Sequence, residues 1–317
     1  MDGTPYVCMY ASKGPRNKIT PGASPAQATA KRQPSPPEGE RPCKFKICVA
    51  KKEAPVPRVP KVSQLIGAAI RVPPPEAALQ KLGDAAVVVG LDIETADWVD
   101  KKLPTTMGKF GFFHFCHPDN FKQRIVQIGW AMGEAWEGAP LLEYQEHLVQ
   151  PDGFVIAEKA TALHGITHEM ALARGLPLRE VLSDLMRMVE RAEAMGARLV
   201  VHHLGFDATI IDEQLGAAGL EHMRASWVAF ARKGFCTMDP VIGAWAQRSK
   251  GRDASPDEKS APMMSLKMAA NLLLPKSDLA QGLQKYQHTA GADAQLHRLL
   301  YIALRSLAQA NQCPQAG

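Results

Sequence analysis

Residues 85–95 read AAVVVGLDIET. A continuous, β-branched apolar run of this length predicts a central strand buried on both faces. It ends on two acids, Asp92 and Glu94. Side chains alternate along a strand, so acids at i and i+2 share a face and can address one cation together. Taken alone, the pair reads first as two solvated acids at a strand end.

Outward from this strand, RIVQIGWAM (124–132) and YQEHLVQP (144–151) run apolar or alternate over strand lengths, with Gly138 and Pro140 between them, which predicts a meander. LREVLSDLMRMVERAEAM (178–195) carries Val181, Leu182, Leu185, Met188, Val189 and Ala192 on one helical stripe. ARLVVHH (197–203) is a fourth strand. FDATIIDEQLGAAGL (206–220) predicts a helix stopped at Gly216 or Gly219. The last helix is expected from Gly291 to Ala310, with Leu296, Leu299, Leu300, Leu304 and Leu307 inward. Strands first, then strand and helix in alternation, predict an α/β fold: a mixed sheet flanked by helices.

Ahead of the strand the composition changes. Residues 1–84 hold 14 of the 24 prolines, and 14 Lys+Arg against 6 Asp+Glu, whereas the remainder holds 23 against 26. The net charge of +5 therefore belongs to the front end. Proline removes donors and breaks both helix and ladder patterns, so 1–84 is expected to be a mostly disordered basic arm before a folded domain at 85–312. Within the arm, Val62–Leu82 is expected to form one or two helical turns against the domain. Three readings of the arm stay open. It is a solvated tail, a tether whose Lys13, Arg16, Lys18, Lys31 and Arg32 gain counterion-release affinity for nucleic acid, or an organelle-targeting segment.

No apolar run approaches the ~18 residues of a membrane span, and the start lacks the apolar stretch of a secretory signal. An intracellular protein of nucleus or cytoplasm is expected, with organelle targeting as the alternative. The six cysteines contain no CxxC pair, which fits neither a disulfide scaffold nor a zinc site.

Three motifs recur in order: DIET (92–95), HHLGFD (202–207) and HTAGADA (288–294). Between them lie LVQPDG (148–153), ATALHGITHEM (160–170), FCTMD (235–239) and SLKMAANLL (265–273). With these the chain resembles the DEDDh family of 3′-to-5′ exonucleases, the group of the proofreading subunit of bacterial DNA polymerase III and the TREX enzymes. The resemblance runs from Ala85 to Leu307. It implies a ribonuclease H-like fold, metal ligation by Asp92, Glu94, Asp207 and Asp293, and His288 as general base. It also implies that Ile93, Thr95, Leu163 and His164 hold the terminal nucleotide and that Phe206 packs beneath the site.

The implied activity is metal-dependent hydrolysis of single-stranded 3′ ends of DNA or RNA to nucleoside monophosphates, with two Mg²⁺ or Mn²⁺ per site and no membrane partner. Several relatives pair as homodimers. The alternative is a catalytically weak nucleic-acid-binding or scaffold protein that retains the fold. Physical chemistry supports the ligand set: carboxylates ~4 Å apart repel by about 1–4 kcal/mol per pair, depending on the effective dielectric. Hard divalent cations offset that repulsion and prefer carboxylate oxygens. An imidazole with an ordinary pKa of ~6.5 suits proton acceptance near neutrality.

Several features depart from the family or stay double. His203 stands where the family usually has Asn. Residues 96–122 form an insertion whose Lys101, Lys102, Lys109, Phe110, Phe112, Phe113 and Phe115 either bury one another or offer a stacking surface to a single strand. Residues 247–262 are expected to be a polar loop. Leu163 and Ile166 either wedge against a base or fill core. His202, His222, Trp227 and Trp245 read as structural.

Overall fold

The computed structural model describes residues 72, 74–97, 106–107, 113–114, 123–251 and 263–312. The arm before 72, the basic and aromatic side chains expected between 98 and 122, and 252–262 lie outside the described residues.

The central strand forms as β1 (Val87–Thr95). A short hairpin of β2 (Thr106–Met107) and β3 (Phe113–His114) follows. β4 (Ile125–Glu134) and β5 (Leu141–Leu148) complete the meander, each antiparallel to its predecessor in a sheet ordered β5-β4-β1-β6-β7. β6 (Arg198–Val201) pairs parallel with β1, and β7 (Phe235–Cys236) parallel with β6. Three antiparallel strands followed by two parallel ones, with helices on both faces, make this a ribonuclease H-like α/β fold. β5 starts earlier than expected and stops at Leu148, because Val149 turns to bridge Leu176 and Gln150 donates its amide to the Leu176 carbonyl.

The helices are α1 (Glu76–Leu82), α2 (Glu158–His164), α3 (His168–Arg174), α4 (Leu178–Ala194), α5 (Leu204–Ala217), α6 (Arg224–Arg232), α7 (Pro240–Ser249), α8 (Leu266–Leu273), α9 (Asp278–Gln284) and α10 (Ala290–Gln312). Both faces of β1 are covered. Val87, Val89, Leu91 and Ile93 join one core with Ile128 and Trp130 of β4, the predicted α4 stripe, and Ile210 and Ile211 of α5. Val88 joins a second core with Leu296, Leu300 and Leu304 of α10, Leu273 of α8 and Trp245 of α7. A single strand thus separates two cores, which is why its sequence runs apolar without alternation.

Local chemistry places several boundaries. Gly219 takes φ +69°, a left-handed stop that only glycine adopts freely, whereas Gly216 lies inside α5. Asp239 caps α7 by accepting from the amides of Val241 and Ile242, and the helix runs on through Ser249. The first three residues of the expected polar loop are therefore helical. Within the front segment, Ala78 and Leu82 of α1 are buried in the second core, and Tyr301 donates to the Leu82 carbonyl at 2.6 Å.

Candidate metal centre

Asp92 and Glu94 share a face with Gly90, the face that meets α10. Their neighbours across the β1–β4 ladder are Gly129 and Gln127. A Cβ on Gly90 would fall on the Ala294 carbonyl, and one on Gly129 on the backbone of Ala290 and Gly291. Both positions require glycine because helix and sheet backbones touch there. This contact lowers the first turn of α10 onto the acids. Two hydrogen bonds hold it: Ala290 donates to Gln127 Oε1 at 2.9 Å, and Gly291 to Glu146 Oε1 at 3.1 Å.

Glu94, Asp293 and His288 each offer a ligand atom, and these atoms lie within 4.8 Å of one another. His288 adopts φ +69°, a left-handed conformation unusual for a side-chain-bearing residue. Its amide donates to Asp293 Oδ2 at 3.0 Å, and this bond holds the bend. Oδ1 of Asp293 is buried and accepts no hydrogen bond among the described residues. Asp92 and Asp207 are not part of that cluster, yet the charge of Asp207 acts on both Asp92 and Glu94.

The electrostatics report crowding. Burial pushes Asp92 well above the carboxylate range, and the charges of Asp207, Asp293 and Glu94 add to it. Glu94 rises to about 8 through burial, with Asp293 and Asp207 adding. Burial likewise lifts Asp207 to about 8 and Asp293 to about 7, against opposing backbone amide bonds. Acids held this far up lack a compensating positive charge. An open oxygen on Asp293 and a shared carboxylate field are what a hard divalent cation fits.

The two histidines beside the acids differ. His164 is buried, accepts the Ile166 amide at Nδ1 (3.0 Å) and therefore donates from Nε2 to the Thr95 carbonyl (3.3 Å). Both its nitrogens are occupied. His288 is half-buried, and burial lowers its pKa. It is thus a neutral imidazole at pH 7.

A cavity of about 530 Å³ opens against this pocket, lined by Ile93, Glu94, Thr95, Leu163, His164 and Phe206 among others. The structure splits the two apolar residues of the α2–α3 segment. Ile166 is buried in a small core with Val126 and Ala171, whereas Leu163 is 41% exposed at the cavity. Phe206 is half-buried, and the ring of His203 stacks on it at 5.5 Å and 7°. Residues not anticipated also appear here: Met263, Met264 and Ser265 line the cavity. Behind Asp92 stands His297, fully buried, with Nε2 3.8 Å from Asp92 Oδ1. Its place one helical turn after Asp293 was the available signal.

Sheet order and pocket together define a mixed α/β fold of ribonuclease H-like strand order with a cluster of carboxylates and a histidine. No family model matches the sequence, and no curated protein matches it. Among solved structures, the chain is similar to the zinc-bound complex of E. coli exonuclease I with single-stranded DNA, at 13% identity and a TM-score of 0.48, over 72% of this chain and 41% of that one. It is similar also to E. coli exonuclease I with a dA16 oligonucleotide (13%, TM-score 0.49, 72% and 41%). A third similar structure is the moderately thermophilic exonuclease I of Methylocaldum szegediense (18%, TM-score 0.46, 72% and 41%). The match spans about two-fifths of those enzymes.

Among the described residues, no helix is long and apolar enough to cross a membrane.

Proposed function

We propose that this chain is a metal-dependent 3′-to-5′ exonuclease that shortens single-stranded 3′ ends of DNA or RNA and releases nucleoside monophosphates. Residues 85–312 form its catalytic domain, preceded by the basic arm of 1–84. The observation that carries this reading is the convergence of Glu94, Asp293 and His288 from two distant segments, with Glu94 also lining a nucleotide-sized cavity.

Asp92, Glu94, Asp207 and Asp293 would hold two Mg²⁺ or Mn²⁺. Bound divalent ions supply the charge that acidifies a water and stabilises a departing 3′-oxyanion. His288, neutral at pH 7, accepts the proton of the attacking water. His164 is unsuited to that role because both its nitrogens are engaged. It fixes the Thr95 carbonyl instead, so that Ile93 and Thr95 present a rigid edge to the terminal nucleotide. Leu163 and the Phe206–His203 stack offer apolar faces to a base.

Matched 5′-labelled DNA and RNA oligonucleotides, single and double stranded, test the proposal. Shortening from the 3′ end is expected with Mg²⁺ or Mn²⁺, and its loss with EDTA, Asp92→Ala or His288→Ala. Undiminished digestion by either variant would remove the mechanism. Binding without cleavage by the wild type would instead select the scaffold alternative.

A further inference from the structure

Just past the last β1–β6 pair, Gly90 with Val200, the buried His297 meets the half-buried His202. His297 Nδ1 lies 2.8 Å from the Leu91 carbonyl, which can only accept, so Nδ1 carries the hydrogen. The ring of His202 stacks on it at 6.0 Å and 28°. His202 Nε2 in turn donates to the Met264 carbonyl at 2.9 Å, and its Nδ1 accepts from Thr237 Oγ1 at 2.8 Å. A row of fixed groups therefore runs from the peptide before Asp92 to Met264 on the cavity wall.

We propose that His297 is a positioning residue for Asp92, locking the strand that carries Asp92 to the helix that carries Asp293. This rests on the exonuclease reading of the same site. Asp293 and His297 are one helical turn apart on α10, so the Nδ1–H to Leu91 bond fixes the spacing between two acids far apart in sequence. With its hydrogen on Nδ1, the neutral ring presents only a lone pair to Asp92 Oδ1, 3.8 Å away. It walls the carboxylate without occupying the oxygen a cation would use. Outer groups of this kind orient ligands and tune affinity without touching the ion.

The test uses the full chain with His297→Phe, His297→Asn and His297→Gln. Mn²⁺ affinity is read by calorimetry, kcat and KM on a 5′-labelled single strand, and Tm in EDTA. Phe keeps ring volume without the donor, and Mn²⁺ affinity and kcat are expected to fall about 10- to 100-fold with KM changed by less than about twofold. Asn places an amide donor near the Nδ1 position and should recover most of the loss, whereas Gln places its amide near Nε2 and should not. A Phe variant that binds Mn²⁺ and turns over like the wild type would overturn the proposal, as would an Asn variant no better than Phe. If Phe fails to fold, Asn exceeding Gln supports the role and the reverse or equality overturns it. A wild type that neither binds Mn²⁺ nor degrades any strand would overturn the reading of the site, and this one with it.

Discussion

Along β1, Val87, Val89, Leu91 and Ile93 enter the core built with α4 and α5, while Val88, Gly90, Asp92 and Glu94 lie toward α10. The first set is uniform and dry. The second grades from a core valine, through a glycine where backbones touch, to acids raised far above their usual range. One face thus stabilises the fold by burying apolar surface, at roughly 25 cal/mol per Å². The other lowers stability to concentrate negative charge. Adjacent positions of one strand should therefore respond to substitution with opposite signs.

The largest expected effect is on turnover. Glu94→Gln keeps size and removes a proposed ligand, so activity should fall about 10³-fold, since a bound metal supplies several kcal/mol to a transition state. Its stability should move the other way. A carboxyl raised from 4.5 to about 8 in the fold binds its proton more readily folded than unfolded. Its contribution is full below the unfolded pKa and is lost as pH climbs to about 8. Gln has no proton to lose, so in EDTA at pH 8 its Tm should exceed that of the wild type, and the gap should close at pH 5. A lower Tm at pH 8 would erase the contrast between the faces. Leu91→Ala, on the dry side, should cost about 2–5 kcal/mol in denaturant unfolding, with turnover per folded molecule nearly kept.

Much of this contrast is legible in the sequence. The unbroken apolar run and the i, i+2 acids follow from strand periodicity, and the α4 stripe from helical periodicity; the structure carries both. His297 is marked only by its place one turn after Asp293. It stands among Leu296, Leu299 and Leu300 and looks like one more inward position, and its contact with Leu91 joins residues 206 apart. The close approach that makes the contact depends on Gly90 and Gly129, whose need for no side chain appears only once the helix is in place. Period also fails to separate Leu163 from Ile166, because a short helix and its turn carry too few residues to define a face. The cavity wall at Met263–Ser265 escaped because it is an irregular cap before α8, fixed by Ser265 accepting from the Met268 amide.

A pH series sharpens the same comparison. Above about pH 7.5, a full unit past the ordinary imidazole value, His202 and His297, lowered by burial to about 4 and about 3, are neutral folded and unfolded and contribute no slope. Glu94, Asp207 and Asp293, raised to about 8, 8 and 7, together with Asp92, pushed well up by burial, are then carboxyls whose proton count differs. Metal-free Tm should fall from about pH 7.5 to about 8.5, and saturating Mn²⁺ should flatten the fall, because a bound cation replaces the protons. A metal-free Tm that rises across this window would show that the acids do not share one field. Turnover with metal should rise with pH through the His288 titration, which burial moves below the ordinary imidazole value; a profile with no acid limb would remove it as base.

The smallest effect sits at the cavity, where Leu163 and Ile166 offer a miniature of the strand's two faces. Leu163 is 41% exposed and Ile166 4%. Leu163→Ala should leave Tm nearly unchanged, as exposed substitutions stay within about 0.5 kcal/mol, yet raise KM about threefold to tenfold if its side chain covers a base, the value of roughly 1 kcal/mol of lost apolar contact. Ile166→Ala should do the reverse, lowering Tm by several degrees with little change in KM. If Ile166 instead controls KM and Leu163 only stability, the base lies on the other side of α2, and the cavity beside the acids is not where the strand end rests.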